Sequence, residues 1–242
     1  MNIKKNNINT VVILCAGSGK RMGKYTENLH KALLPLNFKS ILSNIIDSFP
    51  NNFNFVIPVG FQKKQIKYFC SNVHPNKKIK FVDIKKFSGK GSGPGYSLLR
   101  CKKYLNKPFY LISCDTLFKN IDLKADSKKR ENWVGVSKKV LNLKTENYCC
   151  FKIKQKRVSK IYDKKKNKKN CYPFIGFCKI FDYKIFFKFL ATRSYINNEL
   201  QISNGLQGII NNNDLFFKKL EWKDFGSIEN YKKNSLKAKN YD

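Results

Sequence analysis

Val11-Val12-Ile13-Leu14-Cys15-Ala16-Gly17-Ser18-Gly19-Lys20-Arg21-Met22-Gly23 is the stretch on which the reading of this chain turns. Its first four residues are apolar and mostly β-branched, the composition of a strand buried on both faces of a parallel sheet. A glycine-rich turn with two cations follows at once. That order presents backbone N–H groups and positive charge to a phosphate. Two familiar phosphate loops fail on spacing. A P-loop needs Gly, four residues, then Gly-Lys-Ser/Thr, but Leu14 stands five before Gly19 and Arg21 follows Lys20. A dinucleotide loop needs a glycine at Met22, and Gly23 comes one place late. What remains is a third loop, Gly-x-Gly-x-Arg-Met, or an ordinary strand-to-helix turn.

Outward from this loop, apolar runs alternate with helical segments. Strands are expected at 11–15, 55–59, 79–82 and 109–113, with helices over 41–48, 62–70 and 95–104. This β-α alternation predicts an α/β fold, a single Rossmann-like domain with a mixed, mostly parallel sheet and helices on both faces. From residue 132 short strands crowd together, at 133–137, 148–153, 158–162 and 172–180. Helices over 183–190 and 202–211 follow, then a strand at 215–220 and a last helix from Ser227. The lysine-rich stretch Lys164–Asn170 reads as a solvated hairpin tip. With no repeat and no long linker, 1–242 is one domain, with a first half over 8–130 and a second over 131–242.

The chain has 242 residues, 42% of them hydrophobic, enough for a substantial core. No apolar run reaches the roughly 18–20 residues that cross a membrane, and no cleavable leader is read before the first strand. Eight cysteines without a C-x-x-C, and only His30 and His74, offer no zinc site at the usual spacings. Free thiols in the cytoplasm are the expectation. The formal net charge is +33, yet only Arg21, Arg100, Arg130, Arg157 and Arg193 of the 49 basic residues are arginine. Specific phosphate and base readers favour arginine's planar fork. The excess of Lys therefore reads chiefly as compositional drift, with an electrostatic funnel for small polyanions second and nucleic-acid binding last.

Four further segments belong with the first loop. Thr26-Glu27-Asn28-Leu29-His30-Lys31-Ala32-Leu33-Leu34-Pro35 sets a lysine ten residues past Arg21. Gly91-Ser92-Gly93-Pro94-Gly95 is a second glycine-rich turn opening a helix. Ser113-Cys114-Asp115 ends an apolar strand on a carboxylate, and Trp222-Lys223-Asp224-Phe225-Gly226-Ser227 offers another. Each alone has a plainer reading. Asp115 could cap a helix, Asp224 could serve a turn, and Trp222 could anchor the core.

Taken together, these blocks resemble the nucleotidyltransferases that join a nucleoside triphosphate to a sugar 1-phosphate or related phosphorylated alcohol. Leu14–Met22 matches that family's L-A-A-G-x-G-x-R-[ML], with Cys15 for one alanine. Thr26–Pro35 matches T-x-x-x-P-K-[PA]-L-[LV]-P, with His30 where proline is usual. Gly93–Leu98 resembles G-T-A-x-A-L, with Pro94, Gly95 and Ser97 as departures. Cys114-Asp115 stands for G-D, Glu199–Ser203 for E-x-Q-[IL]-[ST], and Trp222–Ser227 for W-x-D-[IV]-G-[ST]. Six blocks in order over about 220 residues carry the resemblance; no single block would.

The resemblance implies a Mg²⁺-dependent transferase. An acceptor phosphate oxygen attacks the α-phosphorus and pyrophosphate leaves. Leu14, Ala16, Gly17, Ser18, Gly19, Lys20 and Arg21 would hold the triphosphate, with Arg21 on its β and γ oxygens. Lys31 would stabilise charge developing between the two reactants. Asp115 and Asp224 would hold Mg²⁺. Gly93, Pro94 and Gly95 would approach the base or ribose, while Lys164, Gly176 and Glu199 would contact the acceptor. No side-chain base is required, because the attacking phosphate is already ionised. Partners would be a triphosphate and a small phosphorylated acceptor, in surface polysaccharide or glycoconjugate synthesis, with no membrane insertion. The length leaves no room for the added β-helical domain of some relatives. The alternatives are a molybdopterin nucleotidyltransferase of the same fold and a non-catalytic polyanion- or nucleotide-binding module.

Overall fold

The computed structural model describes residues 7–137, 148–165, 171–192 and 194–236. Strand β1 (Thr10–Leu14) lies between β4 (Asn54–Val59) and β6 (Phe109–Ser113), parallel to both, and β5 (Ile79–Asp83) continues the parallel half beyond β4. Val11, Val12 and Ile13 are fully buried although side chains on a strand alternate between faces. Helices cover both faces. Val11 and Ile13 join one core with Tyr110, Ile112 and helix α1 (Ile41–Asp47). Val12 joins the other with Leu98 of α3 (Pro94–Cys101), Phe109 and Leu111. The unbroken apolar run in the sequence is the mark of that double burial. Helix α2 (Lys63–Val73) adds Ile66 and Cys70 to the first core.

Local chemistry starts the helices where they start. The Ser40 hydroxyl accepts from Ser43 N at 3.0 Å and opens α1 behind the small hairpin of β2 (Pro35–Leu36) and β3 (Lys39–Ser40). Pro94 begins α3, where its missing N–H is no loss. Asp122 accepts from Lys124 N and Ala125 N to cap the short α4 (Leu123–Asp126). The predicted helix over 95–104 ends earlier. It stops at Cys101 and passes into a 3-10 turn over Lys102–Tyr104.

The second half extends the sheet mainly antiparallel. Strand β11 (Tyr172–Ile180) pairs with β6 and with β8 (Asn132–Ser137), and β9 (Cys149–Lys154) pairs with β10 (Arg157–Asp163) and the start of β11. Helices α5 (Tyr183–Leu190) and α6 (Ser203–Asn212) flank the hairpin of β12 (Tyr195–Ile196) and β13 (Glu199–Leu200), and α7 (Ile228–Leu236) closes the described chain. Strand β14 (Leu215–Asp224) outruns its expected end. It runs parallel to β8 through Leu220, then pairs its last four residues with β7 (Thr116–Lys119). Most of the expected hairpin tip, 166–170, falls outside the described residues.

Two packing features carry consequences. A Cβ on Gly208 would meet Phe189 Cγ at 2.3 Å and its Cβ at 2.5 Å, so α5 and α6 meet there backbone to ring. Gly208→Ala should lower stability by about 1–3 kcal/mol in a urea titration through overpacking. The second is Asp126, 3% exposed. It accepts from Tyr110 Oη (2.7 Å), Trp133 Nε1 (3.1 Å) and Lys179 Nζ (3.0 Å), and pairs with Lys218. Lys179 is wholly buried and also donates to the carbonyls of Asp126 and Lys129.

Candidate active site

Strand β1 delivers the loop Cys15–Gly19 at its carboxyl end, and a 3-10 segment over Lys20–Thr26 follows. Gly19 has φ +66, the left-handed conformation glycine adopts without strain. Met22 N donates to Gly19 O at 2.8 Å and closes the turn. Gly17, Lys20 and Arg21 are exposed, while Met22 is buried and anchors the far side.

Asp115 occupies the two-residue turn between β6 and β7. Because β14 pairs with β7, with Asp224 opposite Thr116, the second carboxylate arrives beside the first. Phe225 N donates to Asp115 O at 2.8 Å and ties the two turns together. At the meeting point is Gly226. A Cβ built there would meet Asp115 Oδ2 at 2.9 Å, Asp224 Oδ1 at 3.0 Å and Arg21 Nη2 at 3.1 Å. Lys31 Nζ reaches Asp115 Oδ2 at 2.6 Å, with both side chains largely shielded from solvent. Arg21, Lys31, Asp115 and Asp224, spread over 200 residues, thus form one cluster.

The charges of this cluster are interdependent. Burial alone would raise the Asp115 carboxyl, but the Lys31 ammonium outweighs it and holds the group below its ordinary value. Burial works against the Lys31 ammonium as well, and Asp115 holds it charged well above its usual range. Asp224 lies above its usual range through burial and the facing Asp115. Its Oδ1 accepts from Gly226 N (2.8 Å), and its Oδ2 from Asn230 Nδ2 (2.7 Å) and Tyr148 Oη (3.2 Å). Neither Tyr148 nor Asn230 carries a local sequence signal for this role; each acts through the Asp224 it positions.

Among the described residues no group of three His, Cys, Asp or Glu could hold a metal ion. Asp115 and Asp224 supply two hard oxygens that repel each other, a set Mg²⁺ accepts when phosphate and water complete its six ligands. The donor set therefore fits Mg²⁺ bound together with a phosphate ligand.

Of the residues expected at the acceptor, Lys164 and Glu199 meet in a second cluster, while Gly176 lies apart from them, beside the turn that carries Asp115. Glu199 Oε2 receives Lys164 Nζ at 3.1 Å and Gln201 Nε2 at 2.9 Å. Lys164 N donates to Tyr148 O at 3.1 Å, so Tyr148 touches both clusters. Gly176 has φ +79, and a Cβ there would meet Ser113 Oγ at 2.7 Å and Thr116 Oγ1 at 3.0 Å. It packs against Ser113 at the end of β6 and Thr116 at the start of β7, the two ends of the turn that carries Asp115. Gly93 and Gly95 have their own packing demand. A Cβ on either would strike Leu200 O, at 2.7 and 2.8 Å, and Gly91 N and Ser92 O bond the 195–200 hairpin. These bonds make the second glycine-rich turn and that hairpin one unit. Pro94 serves there as the first residue of α3.

His30 stands beside Lys31, just before the 3-10 turn Lys31–Leu33. It is completely buried, and burial together with Lys31 lowers its pKa to about 4. The ring is neutral at physiological pH. In the unfolded chain it would take a proton near its ordinary value of 6.5. Between those values the unfolded state binds the extra proton, so stability falls as pH drops from 6.5 towards 4 and levels off below. The loss is of the order of 3 kcal/mol. Denaturant titrations across that window check it, and His30→Gln should flatten the slope.

A mixed α/β sheet thus carries two carboxylates and two cations together at its carboxyl edge. Residues 11–126 match the family model of the MobA-like NTP transferase domain. That match covers just under half of the chain. The chain is 29% identical over 219 residues to the bifunctional protein GlmU of Methanocaldococcus jannaschii, covering 89% of this chain and 50% of that protein. The GlmU of Methanococcus vannielii is 36% identical over 129 residues, 52% of this chain and 29% of that protein. The chain thus spans about half the length of such relatives, or less. Among solved structures, a UDP-glucose pyrophosphorylase complexed with UDP-glucose superposes with TM-score 0.80 at 18% identity, covering 97% of this chain and 100% of that one. The inositol-1-phosphate CTP transferase from T. maritima superposes with TM-score 0.72 at 18% identity, covering 97% of each chain. These likenesses show the fold. Among the described residues no helix is long and apolar enough to cross a membrane.

Proposed function

We propose that this chain transfers a nucleotidyl group from a nucleoside triphosphate to a sugar 1-phosphate or related phosphorylated alcohol. One observation carries the reading: Arg21, Asp115 and Asp224 converge on Gly226 while Lys31 pairs with Asp115. An acceptor phosphate oxygen forms a bond to the α-phosphorus, the bond from α-phosphorus to the bridging oxygen breaks, and pyrophosphate leaves. Backbone N–H groups of the loop after β1 hold the triphosphate. Arg21, exposed at the mouth, neutralises its terminal oxygens with a planar fork. Lys31 sits where the two anions meet and offsets the charge that builds in the transition state. Asp115 keeps that ammonium charged and aimed, and with Asp224 would hold Mg²⁺, which supplies charge neutralisation and polarises the phosphate when bound. Lys164 and Glu199 would orient the acceptor, the cation towards phosphate and the carboxylate towards hydroxyls. Gly93–Gly95 would face the base or ribose. Eight thiols without a disulfide support a reducing cytoplasmic setting for sugar-nucleotide synthesis.

Thermal unfolding with each of CTP, UTP, GTP, ATP and dTTP, with and without Mg²⁺, tests the reading, with tripolyphosphate as the bulk-charge control. One triphosphate at about 100 times its Kd should add roughly 2.7 kcal/mol, a rise of roughly 5–10 °C. Because only two protein oxygens are offered, Mg²⁺ alone should shift nothing. Pyrophosphate release with that triphosphate and a panel of sugar 1-phosphates then names the acceptor. A molybdopterin phosphate, the acceptor of the alternative reading, belongs on the same panel. Equal shifts by all triphosphates and tripolyphosphate would leave only a basic polyanion-binding surface.

A further inference from the structure

His30 holds φ −66 and ψ 133, the shape a proline would impose, and so keeps the backbone of the resembled motif without its ring. What histidine adds is an N–H and an imidazole. The N–H donates to Gln65 Oε1 of α2 at 3.0 Å, and Gln65 Nε2 donates to Asn28 O at 2.6 Å. Nδ1 accepts from Ala32 N at 3.1 Å and caps the 3-10 turn Lys31–Leu33. In a neutral ring with Nδ1 accepting, the proton is on Nε2. Nε2 is buried and meets no acceptor in hydrogen-bond geometry, while the carbonyls of Cys15 and Gly17 face the ring. A buried N–H without an acceptor is unfavourable by itself. Here it stands beneath the first residues of the phosphate loop.

We propose that His30 is a positioning residue whose Nε2–H engages a carbonyl of the Cys15–Gly17 loop when phosphate binds, locking that loop to the turn that carries Lys31. This rests on the transferase reading for its effect on turnover. The peptide groups concerned are those whose N–H belong to Ala16 and Ser18. A hydrogen bond to the carbonyl of a peptide polarises it and strengthens the N–H at its other end. The same ring, through Nδ1, fixes the turn beside Lys31. One side chain thereby sets the distance between the phosphate cradle and the ammonium, which an in-line transfer requires to be constant.

The chain has two histidines, so a ¹⁵N-histidine spectrum contains two rings, separated with His74→Gln. At pH 7 the His30 ring is expected as the Nε2–H tautomer. Its Hε2 should move downfield and exchange more slowly with tripolyphosphate. An Nδ1–H tautomer, or an Hε2 indifferent to tripolyphosphate, overturns the proposal whether or not the chain transfers nucleotides. If the wild type does transfer them, His30→Phe should lower kcat roughly 10- to 100-fold at a temperature where it stays folded. His30→Gln, which offers an acceptor to Ala32 and a donor to the loop, should recover part of the loss. Lower stability with unchanged kcat in both variants overturns the positioning role. A wild type that binds tripolyphosphate with the expected Hε2 response but releases no pyrophosphate would sink the transferase reading and leave the loop contact standing.

Discussion

Asp115→Asn is expected to reduce nucleotidyl transfer by about 10²–10³-fold, read as pyrophosphate release at saturating triphosphate and Mg²⁺. The substitution keeps the size of the side chain and removes its charge. Two consequences combine. One of the two hard oxygens available to Mg²⁺ becomes a neutral amide, so half-saturation should need far more Mg²⁺. Lys31 loses the partner at 2.6 Å that keeps it charged and aimed. With Asp115 neutral, the repulsion that helps raise Asp224 also falls, so its carboxyl should titrate closer to its ordinary value. Binding of the triphosphate without Mg²⁺ should weaken little, because the loop N–H groups and Arg21 are untouched. Wild-type turnover and unchanged Mg²⁺ dependence in Asp115→Asn would remove this carboxylate from the mechanism.

Asp126→Leu is expected to be the most destabilising single change away from the site, by about 3–5 kcal/mol, or roughly 10 °C in Tm. The reason is the partner left behind rather than the bonds lost. Lys179 is 0% exposed, and Asp126 is the carboxylate bonded to its ammonium. Burial already pulls Lys179 below its usual pKa, against the pull of Asp126. Without that carboxylate the amine must lose its proton or remain an unpaired buried cation. Tyr110 and Trp133 would lose their shared acceptor as well. The double variant Asp126→Leu/Lys179→Met should regain most of the stability, since apolar replacement of a buried pair is often nearly neutral. If the double variant is no better than the single one, the cost belongs to packing and not to charge.

Much of the site is legible in the chain because its chemistry is local. A loop that is to hold phosphate needs consecutive N–H groups after a strand, and Gly17-Ser18-Gly19 after β1 offers that order in the chain itself. The β1 run and Phe109–Ser113 announce themselves as double-sided strands because no position in them faces water. Helix 183–190 is readable from its apolar spacing, and the structure returns those bounds. The short elements were not legible. Strand β7, four residues long, has no period to recognise, and it became visible only as a partner of β14. For the same reason β14 was read as ending at Leu220. Its last four residues carry charges at Glu221, Lys223 and Asp224, which break an apolar pattern but not a ladder of backbone bonds.

His30 shows the same division in one residue. Its place beside Lys31 in the second motif is evident from order alone. That it is buried and neutral follows from Ala32, Gln65 and the Cys15–Gly17 carbonyls, which surround it from three separate segments. Gly93 and Gly95 read equally well as glycines clearing a nucleotide; the structure adds that both clear the backbone of Leu200.

By itself, then, the order of residues determined the α/β class, because strand and helix periods are local, and singled out the glycine-rich loop after β1 with Arg21, Lys31, Asp115 and Asp224 as candidates, because their blocks recur in one order along the chain. Tertiary structure alone decided that Asp224 meets Asp115 over Gly226, that Tyr148 and Asn230 hold it there, and that Lys164 turns to Glu199. Those contacts join residues far apart in the chain, and their energies depend on a burial and a register that no local pattern encodes.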